Sequence, residues 1–218
     1  MSATIVGMTE PTTATPADVW EHMLAGNDRF ATDNVEHPNS TVERRLELRE
    51  GQAPVAAVLA CSDSRVPVEL LFDAGLGDMF VIRTAGGCVD AAVSGSVDFA
   101  VTSLGVKLVI VLTHEACGAI GAALTAVENA EIPLGLQRVF VEKIAPSVIW
   151  SKGHGKTGRN DIEREHARIT AQHLVDRIPA LQDGTADGSI GVVAARYSLA
   201  DGRVETVATH FARYSSQL

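Results

Sequence analysis

The apolar positions of the chain alternate between helical and strand period along its length. From Pro16 to Phe30 (PADVWEHMLAGNDRF), Val19, Trp20, Met23, Leu24 and Phe30 recur at near-helical spacing behind Thr15, a good N-cap, and Pro16, a good first-turn residue. This predicts an N-terminal helical arm, packed either across a partner subunit or on its own domain. A loop from His37 leads into a charged helix, Thr41 to Glu50, closed by Gly51. Three short runs then break the helical period: VAAVLAC (55–61), MFVIRTA (79–85) and KLVIVLTH (107–114). Their β-branching and near-continuous apolar character predict strands buried on both faces, as in parallel sheets. SGSVDFAVTSLG (94–105) returns to helical period and stops at Gly105. GAIGAALTAVEN (118–129) reads as a small-residue helix, followed by a helix from about Leu134 to Trp150, a basic glycine-rich loop (152–160) and a long amphipathic helix (161–178). SIGVVAARYSL (189–199) predicts a fourth strand, and ADGR (200–203) turns the chain into a hairpin partner, VETVATHF (204–211).

Strands alternating with helices predict an α/β fold: a mainly parallel central sheet of about four strands plus an antiparallel edge strand, flanked by helices. No internal repeat interrupts it, and 218 residues suit one domain, 16–218, behind a flexible tail, 1–15. That tail lacks the basic and long apolar regions of a signal peptide, and Met8 offers an alternative start. No apolar run approaches the ~20 residues of a membrane span. Twenty-seven acids against 18 bases leave a net charge of −9, which argues against nucleic acid or an anionic membrane as partner. The three cysteines, at 61, 88 and 117, are odd in number and widely spaced, which points to a reducing, cytoplasmic setting.

Two of those cysteines carry the chemistry. Cys61 ends the first strand in ACSDSR, His114 ends the third, and Cys117 follows one helical turn later in THEACGA. In an open α/β sheet, ligands bind at the carboxyl ends of strands, where chain order reverses. Right-handed crossovers make the first and third strands neighbours, so two thiols and an imidazole converge. A Cys2His set suits Zn2+ and leaves the fourth tetrahedral position open, the arrangement of a catalytic site. A cysteine or histidine at a strand end is often only packed; the coincidence of both at two strand ends favours the metal. Cys88, in AGGCVDAA, has no comparable surroundings and reads as a small buried apolar residue.

ACSDSR with THEACGA resembles the β-class carbonic anhydrases, whose zinc is held by C-x-D-x-R and H-x-x-C. AGNDRF (25–30), HPN (37–39), the stretch 51–86 and HEACGAIGAAL (114–124) share the resemblance, which weakens beyond residue 124. It implies one Zn2+ per subunit on Cys61, His114 and Cys117, and the reaction CO2 + H2O ⇌ HCO3− + H+ by hydroxide generated at the metal. Asp63 would orient that hydroxide, and Arg65 would hold Asp63 off the metal. As in the plant-type branch, Gln52 would bind substrate from the dimer partner, Phe80 would line the CO2 pocket, and Phe99 stands where that branch has tyrosine. The N–H of Gly118 would bind a bicarbonate oxygen. A homodimer, or a tetramer of paired dimers, is implied. Of a regulatory bicarbonate site found in the other branch, only Tyr197 matches, with Val58 and Ala60 at the remaining positions, so that site is expected to be absent. Thr113 and Gly87 depart from the usual glycine and asparagine. His22, His37, His154, His166, His173 and His210 are all candidate proton shuttles. Two alternatives stay open: hydrolysis of CS2 or COS on the same fold, and a zinc-bound protein without turnover.

Overall fold

In the computed structural model, which describes residues 14–210, the two apolar runs that bear the candidate ligands lie side by side. β1 (Ala56–Cys61) and β3 (Leu108–His114) are buried along their whole length. β1 pairs in parallel with β3 on one side and with β2 (Met79–Thr84) on the other; β3 pairs in parallel with β4 (Gly191–Tyr197). β5 (Val204–His210) returns antiparallel along β4, giving the order β2-β1-β3-β4-β5. Four parallel strands and one antiparallel edge strand match the expected sheet. Chain order reverses between β1 and β3, so the crevice at their carboxyl ends is the expected place for a ligand.

The period-two geometry of a strand sends alternate side chains to opposite faces. Ala56, Val58, Ala60, Leu108, Ile110 and Leu112 pack against α1 (Pro16–Ala31) and α3 (Val68–Leu71), through Trp20, Met23, Leu71 and Phe72. Ala57, Leu59, Val109, Val111, Val192 and Ala194 pack against α4 (Ala91–Thr102), α7 (Arg159–Arg177) and α8 (Pro179–Asp187). A third cluster, around Ile120 and Ile144, lies beneath the strand ends, where α5 (Gly118–Asn129) meets α6 (Arg138–Gly153).

The helical arm folds onto its own sheet. Thr15 caps it as expected, its hydroxyl accepting from the Asp18 N–H at 3.2 Å. Trp20 Nε1 donates to Thr206 Oγ1 at 3.1 Å on the far edge strand.

Several boundaries differ from the sequence pattern. α2 (Val42–Glu47) has Thr41, the expected first residue, as its N-cap, and it ends early, because the Arg49 N–H bonds back only three residues to Leu46 and tightens the last turn. α4 begins three residues before Ser94 because Asp90 Oδ1 caps the Val93 N–H at 2.8 Å. α6 runs on to Gly153 and α7 starts at Arg159, so the basic loop is shorter than expected. α3 and α8 were not expected. β2, expected to be buried on both faces, is an edge strand: it pairs with β1 alone, and Phe80, Val81 and Ile82 are half-buried. Residues 1–13 of the tail and Phe211 of the last run lie outside the described residues. Among those described, no helix is long and apolar enough to cross a membrane.

Candidate metal centre

Cys61, His114 and Cys117 come together at the β1–β3 crevice, all three buried and with their donor atoms within 4.8 Å of one another. Strand register explains two of them. Ala60 lies opposite Leu112, so Cys61 and His114 emerge at adjacent strand ends. Cys117 returns through a tight turn in which Ala116 adopts φ 56°, a left-handed conformation costly for a residue with a Cβ. It then occupies the N-cap of α5, with its sulfur beside the first N–H groups of that helix.

His114 is prepared as a ligand. Its Nδ1 lies 2.8 Å from the Glu115 carbonyl oxygen, which can only accept, so Nδ1 carries the proton. Nε2 therefore keeps its lone pair, and it is buried without a hydrogen-bond partner. An unpartnered buried imidazole nitrogen is costly unless something else satisfies it. Hydrogen bonding with Cys117 first, and then from the N–H groups of Gly86 and Asp63, outweighs burial and lowers the Cys61 thiol to about 4. The same bond to Cys61, together with burial, pushes the Cys117 thiol up. One thiolate, a second thiol and a free imidazole lone pair form a donor set that fits a soft or borderline divalent cation.

The ACSDSR turn is clamped from two sides. Arg65 Nε donates to Asp63 Oδ1 at 2.9 Å and Nη2 to Oδ2 at 2.7 Å, while the Arg65 N–H also bonds Oδ1. The Arg65 side-chain hydrogen bonds, foremost, hold the Asp63 carboxyl well below the usual carboxylate range against the opposing effect of burial, with the Arg65 N–H adding to them. Asp63 Oδ2 stands 3.8 Å from His114 Nε2. Arg83, at the exposed end of β2, donates to the main-chain oxygens of Cys61 (3.0 Å) and Asp63 (2.7 Å). Arg159 donates to the Cys117 oxygen at 2.7 Å. Neither arginine was singled out from the sequence. The available signal was a charged residue two positions before the end of an apolar strand, and a basic residue at the head of a helix.

Thr113 anchors the ligand-bearing strand to α7, its hydroxyl lying 3.0 Å from the Glu163 main-chain oxygen and 3.3 Å from that of Ala195. Glu163 itself pairs with Arg196 of β4 at 2.9 Å, and both are buried. Gly87 takes φ 65°, and Gly86 before it φ 69°. Both sit in a 3-10 turn (85–87) behind Cys61.

The remaining candidates divide. Gly118 opens α5 and borders a cleft of about 550 Å3 between α5 and α6 that reaches Ala85, Thr125 and Phe140. Phe80 and Phe99 lie together, ring centroids 6.1 Å apart, on the outer edge of the sheet, and Phe99 is 46% exposed. Gln52 is exposed in the loop before β1. Tyr197 packs with Val58 and Ala60 in the core cluster beside α1. Cys88 is buried, and its thiol is pushed up to about 11, by burial first. Among the histidines, His22, His37, His154 and His173 are exposed, His154 stacks on Trp150 with centroids 3.9 Å apart, and His210 is half-buried. Only His166 has a recorded bond to the ligand shell, to the main-chain oxygen of Gly86 at 3.0 Å.

Comparison with known proteins agrees with this geometry. A family model described as carbonic anhydrase matches residues 56–204. Carbonic anhydrase 2 of Mycobacterium tuberculosis is 43% identical over 188 residues, 86% of this chain and 91% of the relative. A carbonic anhydrase of Mycolicibacterium smegmatis is 44% identical over 190 residues, 87% and 92% of the two chains. Among solved structures, the β-carbonic anhydrase CcaA superposes with a TM-score of 0.68 at 21% identity, covering 90% of this chain and 93% of its own. A Coccomyxa β-carbonic anhydrase gives 0.65 at 22%, covering 89% and 86%. With family match, relatives and fold in agreement, the chain belongs to the β-class carbonic anhydrase family.

Proposed function

We propose that Cys61, His114 and Cys117 hold one Zn2+ per subunit and that this carbonic anhydrase uses it to hydrate carbon dioxide reversibly to bicarbonate and a proton. The observation that carries this reading is the buried, unpartnered Nε2 of His114 within 4.8 Å of two cysteine sulfurs, beside a carboxylate gripped by arginine. Bound there, the ion would supply a water activated at neutral pH. The chain's own residues do the rest. Asp63, ionised and facing the cluster, accepts a hydrogen bond from the attacking oxygen and orients it toward the substrate carbon. Arg65 keeps that carboxylate from collapsing onto the donor cluster. Gly118, at the helix N-terminus, offers an N–H to the bicarbonate anion.

Phe80 and Phe99 form the apolar wall for CO2, and Gln52 offers an amide to bound substrate across a dimer interface. The ring pair, Phe80 on edge strand β2 and Phe99 on α4 beside it, supports a homodimer, because an uncovered apolar edge is otherwise an aggregation hazard. Residues 16–218 form one domain, and three unpaired cysteines favour the cytoplasm.

The test is zinc content together with stopped-flow CO2 hydration on the parent and on Cys61→Ala. The expected result is near-stoichiometric zinc and turnover in the parent, with both lost in the variant. A parent that hydrates CO2 equally well with the metal stripped overturns the reading.

A further inference from the structure

His166 has a place in the metal centre that lies outside both the ligand set and the substrate pocket. It sits on α7 and is 3% exposed. Its Nε2 lies 3.0 Å from the Gly86 carbonyl oxygen, and its Nδ1 2.9 Å from Ser147 Oγ of α6. A carbonyl only accepts, so Nε2 carries the proton, and the lone pair on Nδ1 takes the Ser147 hydroxyl hydrogen. The imidazole is thus held in one neutral tautomer from both ends. Burial, which disfavours the charged form, acts in the same direction.

Gly86 forms the other half of the link. Its N–H donates to Cys61 Sγ at 3.2 Å. Residue 86 is at φ 69°, and a Cβ there would come 2.7 Å from Ile144 Cδ1 and 2.9 Å from Ala119 Cβ, so the turn is tightly enclosed. Its far side is tied by Thr84 Oγ1 to the Cys88 oxygen at 2.9 Å. A chain of contacts therefore runs Ser147, His166, Gly86, Cys61. We infer that His166 is a positioning residue for the Cys61 sulfur: it fixes the Gly86 turn so that the N–H stays aimed at Sγ. This rests on the metal reading above. An N–H···S bond withdraws charge from a thiolate ligand and leaves the metal more acidic, which matters where two thiolates already neutralise a divalent ion. Ser147 acts one step further out, by selecting the tautomer.

The experiment replaces zinc with Co2+ and records the sulfur-to-cobalt charge-transfer band, alongside zinc affinity by chelator competition. The parent, His166→Leu, His166→Gln and Ser147→Ala are compared. In His166→Leu the band shifts and zinc affinity falls about 10-fold. His166→Gln, whose amide nitrogen reaches where Nε2 stood, restores both. In Ser147→Ala the band broadens, and 15N shifts of His166 report loss of the single tautomer. A folded His166→Leu with the parental band and affinity overturns the proposal, as does a His166→Gln that behaves like Leu. If His166→Leu does not fold, Ser147→Ala decides: parental band, affinity and tautomer there overturn it. A parent that binds neither metal removes the metal reading itself, and this proposal with it.

Discussion

Arg65 grips both carboxylate oxygens of Asp63, at 2.9 and 2.7 Å, while one of those oxygens stands 3.8 Å from the free nitrogen of His114. The carboxylate is therefore held at the rim of the donor cluster by a fork that fits both its oxygens. Removing the fork frees it to turn inward. Arg65→Ala is expected to lower CO2 hydration by about 10²-fold while zinc content stays near one per chain. Arg65→Lys recovers little, because an ammonium cannot make the paired contact. Stopped-flow rates with metal analysis check both, and parental turnover in Arg65→Ala removes the gating role.

Metal removal separates stability from architecture. β1 and β3 are buried along their whole length without help from the cluster, so the stripped protein keeps its sheet. A ligand present at about a thousand times its Kd stabilises by about 4 kcal/mol, and Tm moves by ~2–4 °C per kcal/mol in a chain of this size. Scanning calorimetry should show Tm lower by on the order of 10 °C after chelation, with far-UV circular dichroism at 25 °C unchanged. Zinc restores the parental transition.

A second carboxylate sets acid stability. Asp73 is buried, and although burial alone would raise its pKa, the N–H groups of Glu36 and His37 and the Arg29 side chain lower it below its ordinary 3.8. A depressed folded-state value means this stabilisation is fully present above the unfolded value and is lost as pH falls through the folded one. Asp73→Asn should cost about 3 kcal/mol near pH 7. Urea titrations should then show the gap to the parent closing below about pH 4. A gap that persists unchanged in acid contradicts the assignment.

Cys88 lies near the cluster without belonging to it. Cys88→Ala should leave zinc content and turnover unchanged and cost about 1 kcal/mol for the lost packing. Loss of metal in that variant would add a third sulfur to the site.

Gln52 offers a test of assembly. If its amide serves the neighbour's pocket, Gln52→Ala lowers turnover at concentrations where the protein is dimeric, and dilution to monomers abolishes it in the parent. Sedimentation and rate measurements at matched concentrations check this, and full activity in a monomer sinks the shared pocket.

The ligand triad was legible because reactive residues stood out against their neighbours: Cys61 before four polar residues, His114 at the end of an apolar run. Strand period carried most of the sheet for the same reason. Its supports were harder to read. Arg83 looks like a solvated strand tip, yet its guanidinium turns back onto the end of β1, a contact between segments that periodicity cannot show. α7 buries Glu163, Glu165 and His166, which a hydrophobic pattern assigns to solvent. Glu163 meets Arg196 through one carboxylate oxygen, Glu165 meets Lys156 and Arg168, and His166 meets Gly86 and Ser147, contacts mostly distant in sequence. α8 carried usable signals, with Pro179 in its first turn and Gly188 at φ 79° past its end. Gly184 in its middle, pressed against Ile190, disguised it as a loop.

The reversal of strand order between β1 and β3 has a consequence for the order of assembly. Cys61 and His114 become neighbours only once the third strand has docked beside the first, so no partial intermediate lacking that pairing can offer the full coordination shell. Uptake of the ion is thereby deferred until the middle of the fold is complete, and its capture during refolding serves as a chemical timestamp for that event.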